Sequence, residues 1–178
     1  MDIDSNLMLD TFTNIATIAI GYNHPEMIEY AQSEEVMTLM VNRPALGIHP
    51  PENYQSMLEQ GILQQAPKGF LYCHIMMCGS CSVEGAFKSS FLAYKKKQRG
   101  GAGYTDEEIS SCMMNEKPGS GNLSILSFKY GFHGRMFGSL SATRSKAIHK
   151  LDMPAFDWPC AIAPRYKYPL EEFEEYNK

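Results

Sequence analysis

No stretch of this 178-residue chain approaches the roughly 18 consecutive apolar residues of a membrane-spanning helix, and no charged segment leading into an apolar run opens it. No membrane span is expected within these residues. Positive charge is also scarce: 16 Lys and Arg against 20 Asp and Glu leave a formal charge of −4 and a pI near 5.7. Nucleic-acid binding draws its affinity from an excess of basic side chains, so that class is set aside. The one basic run, Lys95 to Lys97 with Arg99, falls at the end of a helical pattern, where cations complement the helix dipole. Cysteine is sparse and odd in number, five residues beside 12 methionines, unlike a secreted disulfide framework. A reducing compartment is expected. With 44% hydrophobic and 20% charged residues, the composition is that of a soluble globular protein able to bury a core as one domain.

What is present is organised around Cys78-Gly79-Ser80-Cys81-Ser82. Upstream, Phe70 to Met77 is an apolar and aromatic run bounded by Pro67-Lys68-Gly69, which predicts a buried strand. Downstream, Val83, Ala86, Phe87, Ser90, Phe91 and Tyr94 fall on one helical stripe, with Glu84, Lys88 and Lys95 off it. The junction thus reads strand, Gly-Ser, helix. The first amides of such a helix lack internal partners and sit at the positive end of the dipole, so they can hold an anion, above all a phosphate. Gly79 permits close approach and Ser80 adds a hydroxyl. A plain helix cap is the commoner use of the same pattern.

In chain order, Ile3 to Phe12 reads as two extended pieces about a turn at Asp4-Ser5-Asn6, and Thr11 to Ile20 continues apolar and β-branched. One helix is expected from Pro25 and another from Pro51 to just before Pro67, with Val41 to Pro50 irregular between them. Gly100-Gly101-Ala102-Gly103 is a flexible loop, and Thr105 to Glu108 has the spacing of a capping box. Leu123 to Phe128 predicts a second strand leading to a polar knot, Gly131-Phe132-His133-Gly134-Arg135. Strand, glycine-bearing loop and helix therefore recur. That recurrence indicates an α/β fold with a parallel or mixed sheet and ligands at the carboxyl ends of its strands.

Four separated motifs, Asn42 to Ile48, Cys78 to Ser82, Phe132 to Arg135 and Ser145 to Lys150, together resemble the 4-aminobutyrate aminotransferase family of the class III, fold-type I pyridoxal-phosphate (PLP) enzymes. The resemblance runs from about Asp2 to Tyr176 and implies the first part of the family's large domain, a three-layer αβα unit with a mostly parallel sheet. It places an N-terminal segment at residues 1–50 and the truncated PLP-binding part at 51–178. It implies a homodimer of the mitochondrial matrix that moves the amino group of 4-aminobutyrate to 2-oxoglutarate, leaving succinate semialdehyde. Another ω-amino acid as substrate, or a truncated product without catalysis, are the alternatives.

Carried over by position, the resemblance makes Gly79 and Ser80 binders of the cofactor phosphate, Phe132 the ring stacked on its pyridine, Arg135 the guanidinium for a substrate carboxylate and Ile15 an apolar neighbour of the substrate. Read on their own, Phe132 could be core packing and Arg135 a surface or ion-paired arginine. Cys78 and Cys81 match ligands of a [2Fe–2S] cluster shared between subunits, whereas a C-x-x-C read cold is equally a redox dithiol, half a zinc site or two buried thiols. Cys73, Cys112 and Cys160 have no ligand-like spacing, and His133 receives no role. Val83 and Gly85 stand where the family more often has asparagines. Neither the Schiff-base lysine, nor the acid that protonates the pyridine nitrogen, nor the second arginine has a counterpart: Lys68, Lys88, Lys95 to Lys97, Lys117, Lys129, Lys146, Lys150, Lys167 and Lys178 match no such motif. The 178 residues are expected to be inactive alone.

Overall fold

A stripe of aromatic residues on one long helix needs a partner, and in the computed structural model, which describes residues 1 and 3–178, the partner is Trp158. The chain forms two compact units, Met1–Cys73 and His74–Lys178, whereas the sequence reading placed a boundary at 50/51.

In the first unit, α1 (Thr13–Ala16) is one turn whose four residues take φ of +45 to +60°, the left-handed region that costs L-residues roughly 1–2 kcal/mol each. The β-branched run around it predicted extended chain instead. Helix α2 (Pro25–Ala31) opens with Pro25, whose missing N–H and preset φ suit a first turn. Helix α3 (Glu34–Asn42) was not expected from sequence. Its cap is nonetheless local: the Val36 amide donates to Ser33 Oγ at 3.3 Å, and Glu34 and Glu35 face the positive helix end. It ends where Arg43 turns left-handed before Pro44. Helix α4 (Tyr54–Leu58) runs on through a π turn, Glu59–Leu63, and Asn53 Nδ2 donates to Glu35 Oε1 at 3.1 Å, tying it to α3. No described residue of this unit is fully buried.

The apolar run 70–77 pairs with no strand among the described residues, and most of its side chains are exposed, Tyr72 at 88% and Met77 at 90%, with Cys73 and Met76 half-buried. The expected buried strand is thus corrected to unpaired extended chain. A hydrophobic pattern can favour extension, but backbone N–H and C=O groups become a strand only when a neighbouring segment supplies partners.

In the second unit, helix α5 (Gly79–Gln98) is 20 residues long and ends as Lys95, Lys96 and Lys97 meet the negative helix terminus before Gly100 and Gly101. Helix α6 (Asp106–Cys112) carries the expected capping box: Glu108 N donates to Thr105 Oγ1 at 3.1 Å, and Thr105 N to Glu108 Oε2 at 3.0 Å. Strand β1 (Ser127–Phe128) is the last third of the expected strand. It pairs in parallel with β2 (Cys160–Ala161), Ser127 opposite Cys160 and Phe128 opposite Ala161. Between them runs α7 (Phe137–Ala142), so the connection is a β-α-β crossover, the unit of a parallel α/β sheet. Helix α8 (Glu174–Asn177) closes the chain.

The buried centre combines Leu140, Ala142 and Trp158 with Ser127, Ser139, Ser141 and Thr143. Trp158 stacks on Phe156 at 4.9 Å and meets the edges of Phe87 at 5.6 Å and Phe91 at 6.2 Å, which fastens α5 beside β2. The hydroxyls of α7 are buried because they are bonded, Ser141 Oγ donating to Phe137 O at 2.7 Å and accepting from Phe156 N at 2.9 Å, whereas Ser127 Oγ has no partner among the described residues. Lys150 Nζ donates to Leu140 O in the last turn of α7; burial, then the Arg144 charge, hold its amine below the usual lysine value.

Candidate functional site

Two polar turns predicted 55 residues apart meet at the start of α5. Ser80 Oγ accepts from the amides of Arg135 and Met136, each at 3.1 Å, and lies 2.8 Å from Ser139 Oγ. Ser139 Oγ also lies 3.1 Å from Met136 O, an acceptor for its proton, and either hydroxyl can donate in the Ser80–Ser139 bond. The far end of the 131–135 loop is held by Thr143, whose Oγ1 accepts from His133 N at 2.9 Å and donates to Gly134 O at 2.8 Å. Arg144 N adds a bond to Gly131 O at 2.8 Å. Gly134 marks the crossing point: its φ is +126°, and a Cβ there would stand 2.3 Å from Ser80 Oγ.

This arrangement divides the expected duties of Ser80. Its hydroxyl is engaged by the 134–136 backbone, which leaves its main-chain amide, with that of Gly79, as the donor toward an anion. A Cβ built on Gly79 meets nothing within 4 Å, so the approach to Gly79 is open, while the Ser80 amide also faces the Cys78 thiol. A phosphate at this turn fits the donors present.

Phe132 is 54% exposed, touching the His149 ring edge-on at 5.7 Å, so a face remains available for stacking and the core-packing alternative is not what the ring does here. Arg135 is exposed and its guanidinium forms no ion pair among the described residues, whereas its amide is fixed on Ser80. An anchored backbone with a free fork suits a carboxylate ligand. Ile15 belongs to the first unit, in the left-handed turn α1, and is exposed there.

Cys78 and Cys81 place their sulfurs 3.5 Å apart on the same turn, and Cys81 Sγ lies 3.4 Å from Met136 Sδ. The Cys81 amide and thiol, facing Cys78, pull the Cys78 thiol below its usual range, and the same pairing pushes Cys81 up. Two thiolates on one tetrahedral metal with bonds of about 2.3 Å stand roughly 3.8 Å apart, so the pair has ligand spacing. No third Cys, His, Asp or Glu completes a metal group among the described residues. Cys73, Cys112 and Cys160 remain free thiols.

Three contributors escaped the sequence reading: Thr143, Ser139 and Glu84. Glu84, counted off the apolar stripe, is half-buried, and its Oε1 accepts from Ser139 N at 2.6 Å. No local signal marks them, because each acts on a residue in another element. A wide apolar groove of about 890 Å³ lies between α5, α6 and Trp158; Glu84 and Gly138 stand at its lining, but it holds none of the site residues expected from sequence.

The chain is 52% identical to a 4-aminobutyrate aminotransferase of Dictyostelium discoideum over 177 residues, which is 99% of this chain and 36% of that protein. It is 50% identical to the mitochondrial 4-aminobutyrate aminotransferase of Homo sapiens over 178 residues, again 36% of that protein. It therefore spans about a third of the length of these curated relatives. Its fold is similar to that of a lysine aminotransferase from M. tuberculosis, with a TM-score of 0.65 and 24% identity over 92% of this chain and 35% of that one. The aminotransferase class III model matches residues 1–178, and the chain belongs to the class III aminotransferase family.

Proposed function

We propose that the whole protein is a PLP-dependent transaminase that takes the amino group from 4-aminobutyrate and passes it to 2-oxoglutarate, and that this chain supplies its phosphate-binding turn and one carboxylate anchor. The observation that carries the reading is the junction of Ser80 with Arg135 and Met136, which fixes the backbone of Arg135 at the start of α5, its guanidinium free of ion pairs among the described residues. Bound PLP would supply an electron sink for breaking bonds at the amine-bearing carbon. The amides of Gly79 and Ser80 would hold its phosphate, and Phe132 would cover its ring. Arg135 would take the carboxylate at the other end of the substrate, orienting the amine end toward the reacting centre. The names of the relatives favour 4-aminobutyrate over other ω-amino acids and, for the human protein, a mitochondrial location.

The test is amino transfer by the whole protein, with PLP uptake followed by absorbance. Succinate semialdehyde and glutamate formed from 4-aminobutyrate and 2-oxoglutarate support the reading. PLP uptake with turnover of a different ω-amino acid would move it to another class III activity, and failure to take up PLP would overturn it.

The resemblance further supports a homodimer in which Cys78 and Cys81 meet their own copies near a twofold axis. A [2Fe–2S] cluster takes four ligands, and this chain brings two at suitable spacing. Cys78→Ser in the whole protein is expected to remove iron and the visible cluster absorbance, while Cys112→Ser keeps both. Full iron content in Cys78→Ser would leave the pair as ordinary thiols.

A further inference from the structure

We propose that Glu84 is a positioning residue for the cofactor and substrate turn: its carboxylate caps α7 from α5 and so sets where Arg135 stands relative to the Gly79–Ser80 amides. This rests on the PLP-binding reading above. Helix α7 is preceded by Met136, which has no side-chain oxygen to cap the helix. The Ser139 amide, the third of the helix, is nevertheless bonded, because Glu84 Oε1 reaches it at 2.6 Å from a position 55 residues earlier. A carboxylate at a helix N-terminus also meets the positive end of its dipole. Gly138 makes room for it, since a Cβ there would lie 2.7 Å from Glu84 Oε2.

Ser80 and Glu84 are four residues apart and therefore lie on one face of α5. Ser80 holds the amides of Arg135 and Met136, and Glu84 holds that of Ser139, so one helix face grips both sides of the bend between loop and α7. The Ser80–Ser139 hydroxyl bond at 2.8 Å joins the two grips. Without the Glu84 carboxylate, the buried Ser139 amide loses its acceptor, and α7 shifts toward another one. Arg135, four residues before the Ser139 amide, moves with it.

The experiment titrates the whole apoprotein with PLP by fluorescence and measures amide exchange in α7. Glu84→Ala is expected to weaken PLP binding at least tenfold and to speed exchange at Ser139 and Leu140. Glu84→Gln, which keeps an acceptor oxygen at the same reach, should return affinity to within about threefold. Phe87→Leu, which loosens packing on Trp158 alone, should lower thermal stability without moving PLP affinity. Should Glu84→Ala fail to fold, Gly138→Ala carries the test, because its methyl group displaces the carboxylate while retaining it, and the same tenfold loss is expected. Wild-type affinity in Glu84→Ala or Gly138→Ala, or a loss in Glu84→Gln as large as in Glu84→Ala, would overturn the role of Glu84 while leaving the functional reading intact. A wild-type protein that takes up no PLP would overturn both.

Discussion

Gly134→Ala is expected to destabilise the second unit by about 2–6 kcal/mol and to abolish PLP binding in the whole protein. Two costs combine. The backbone at φ +126° is strained for any residue with a Cβ, by about 1–3 kcal/mol. The added methyl carbon would also stand 2.3 Å from Ser80 Oγ and 2.8 Å from Ser139 Oγ, an overpacking that costs roughly 1–3 kcal/mol when neighbours must move. Neither hydroxyl can retreat freely, because each is bonded to the Arg135 to Ser139 segment. The measurements are a denaturant midpoint and a PLP titration. Adding Ser80→Gly to Gly134→Ala should recover part of the stability by removing the crowded atom, a non-additive response expected of residues in contact. Wild-type midpoint and affinity in Gly134→Ala would show that the loop and α5 do not meet as described.

The second large effect concerns Arg135→Lys, which should raise KM for 4-aminobutyrate more than tenfold, equivalent to about 1.4 kcal/mol or more of lost binding. The charge survives this change, so long-range attraction is retained. What goes is the planar pair of N–H donors that matches a carboxylate. The effect should be confined to substrates bearing that carboxylate: an amine of the same chain length without one should be turned over equally poorly by both proteins. Because the Arg135 guanidinium has no ion pair among the described residues, the substitution sacrifices no structural contact, and stability should stay within about 0.5 kcal/mol. An unchanged KM would make Arg135 a surface residue.

Several features needed nothing beyond neighbouring residues. The long helix from Gly79 was legible in its apolar stripe, and its stop in the glycines after Arg99. The Thr105–Glu108 box, complete within four residues, formed as spaced. Helix α3 carried a readable cap in Ser33 with Glu34 and Glu35, yet the sequence reading assigned no element to residues 34–40. The 70–77 segment shows the opposite limit, where eight residues of strand character do not determine whether another backbone lies alongside.

By itself the sequence determined the α/β character and the two glycine-bearing turns, because helix caps, periodicity and turn residues act over a few positions, and its four separated motifs carried the resemblance to the family. Tertiary structure alone decided that Ser80 spends its hydroxyl on the Arg135 and Met136 amides, that Trp158 is the surface on which Phe87 and Phe91 pack, and that Glu84 serves another helix. A serine before a helix looks the same whether its hydroxyl binds a ligand, caps its own helix or fastens a distant loop. Which partner it takes depends on what the fold carries to within about 3 Å, and periodicity holds no information about residues 55 positions away.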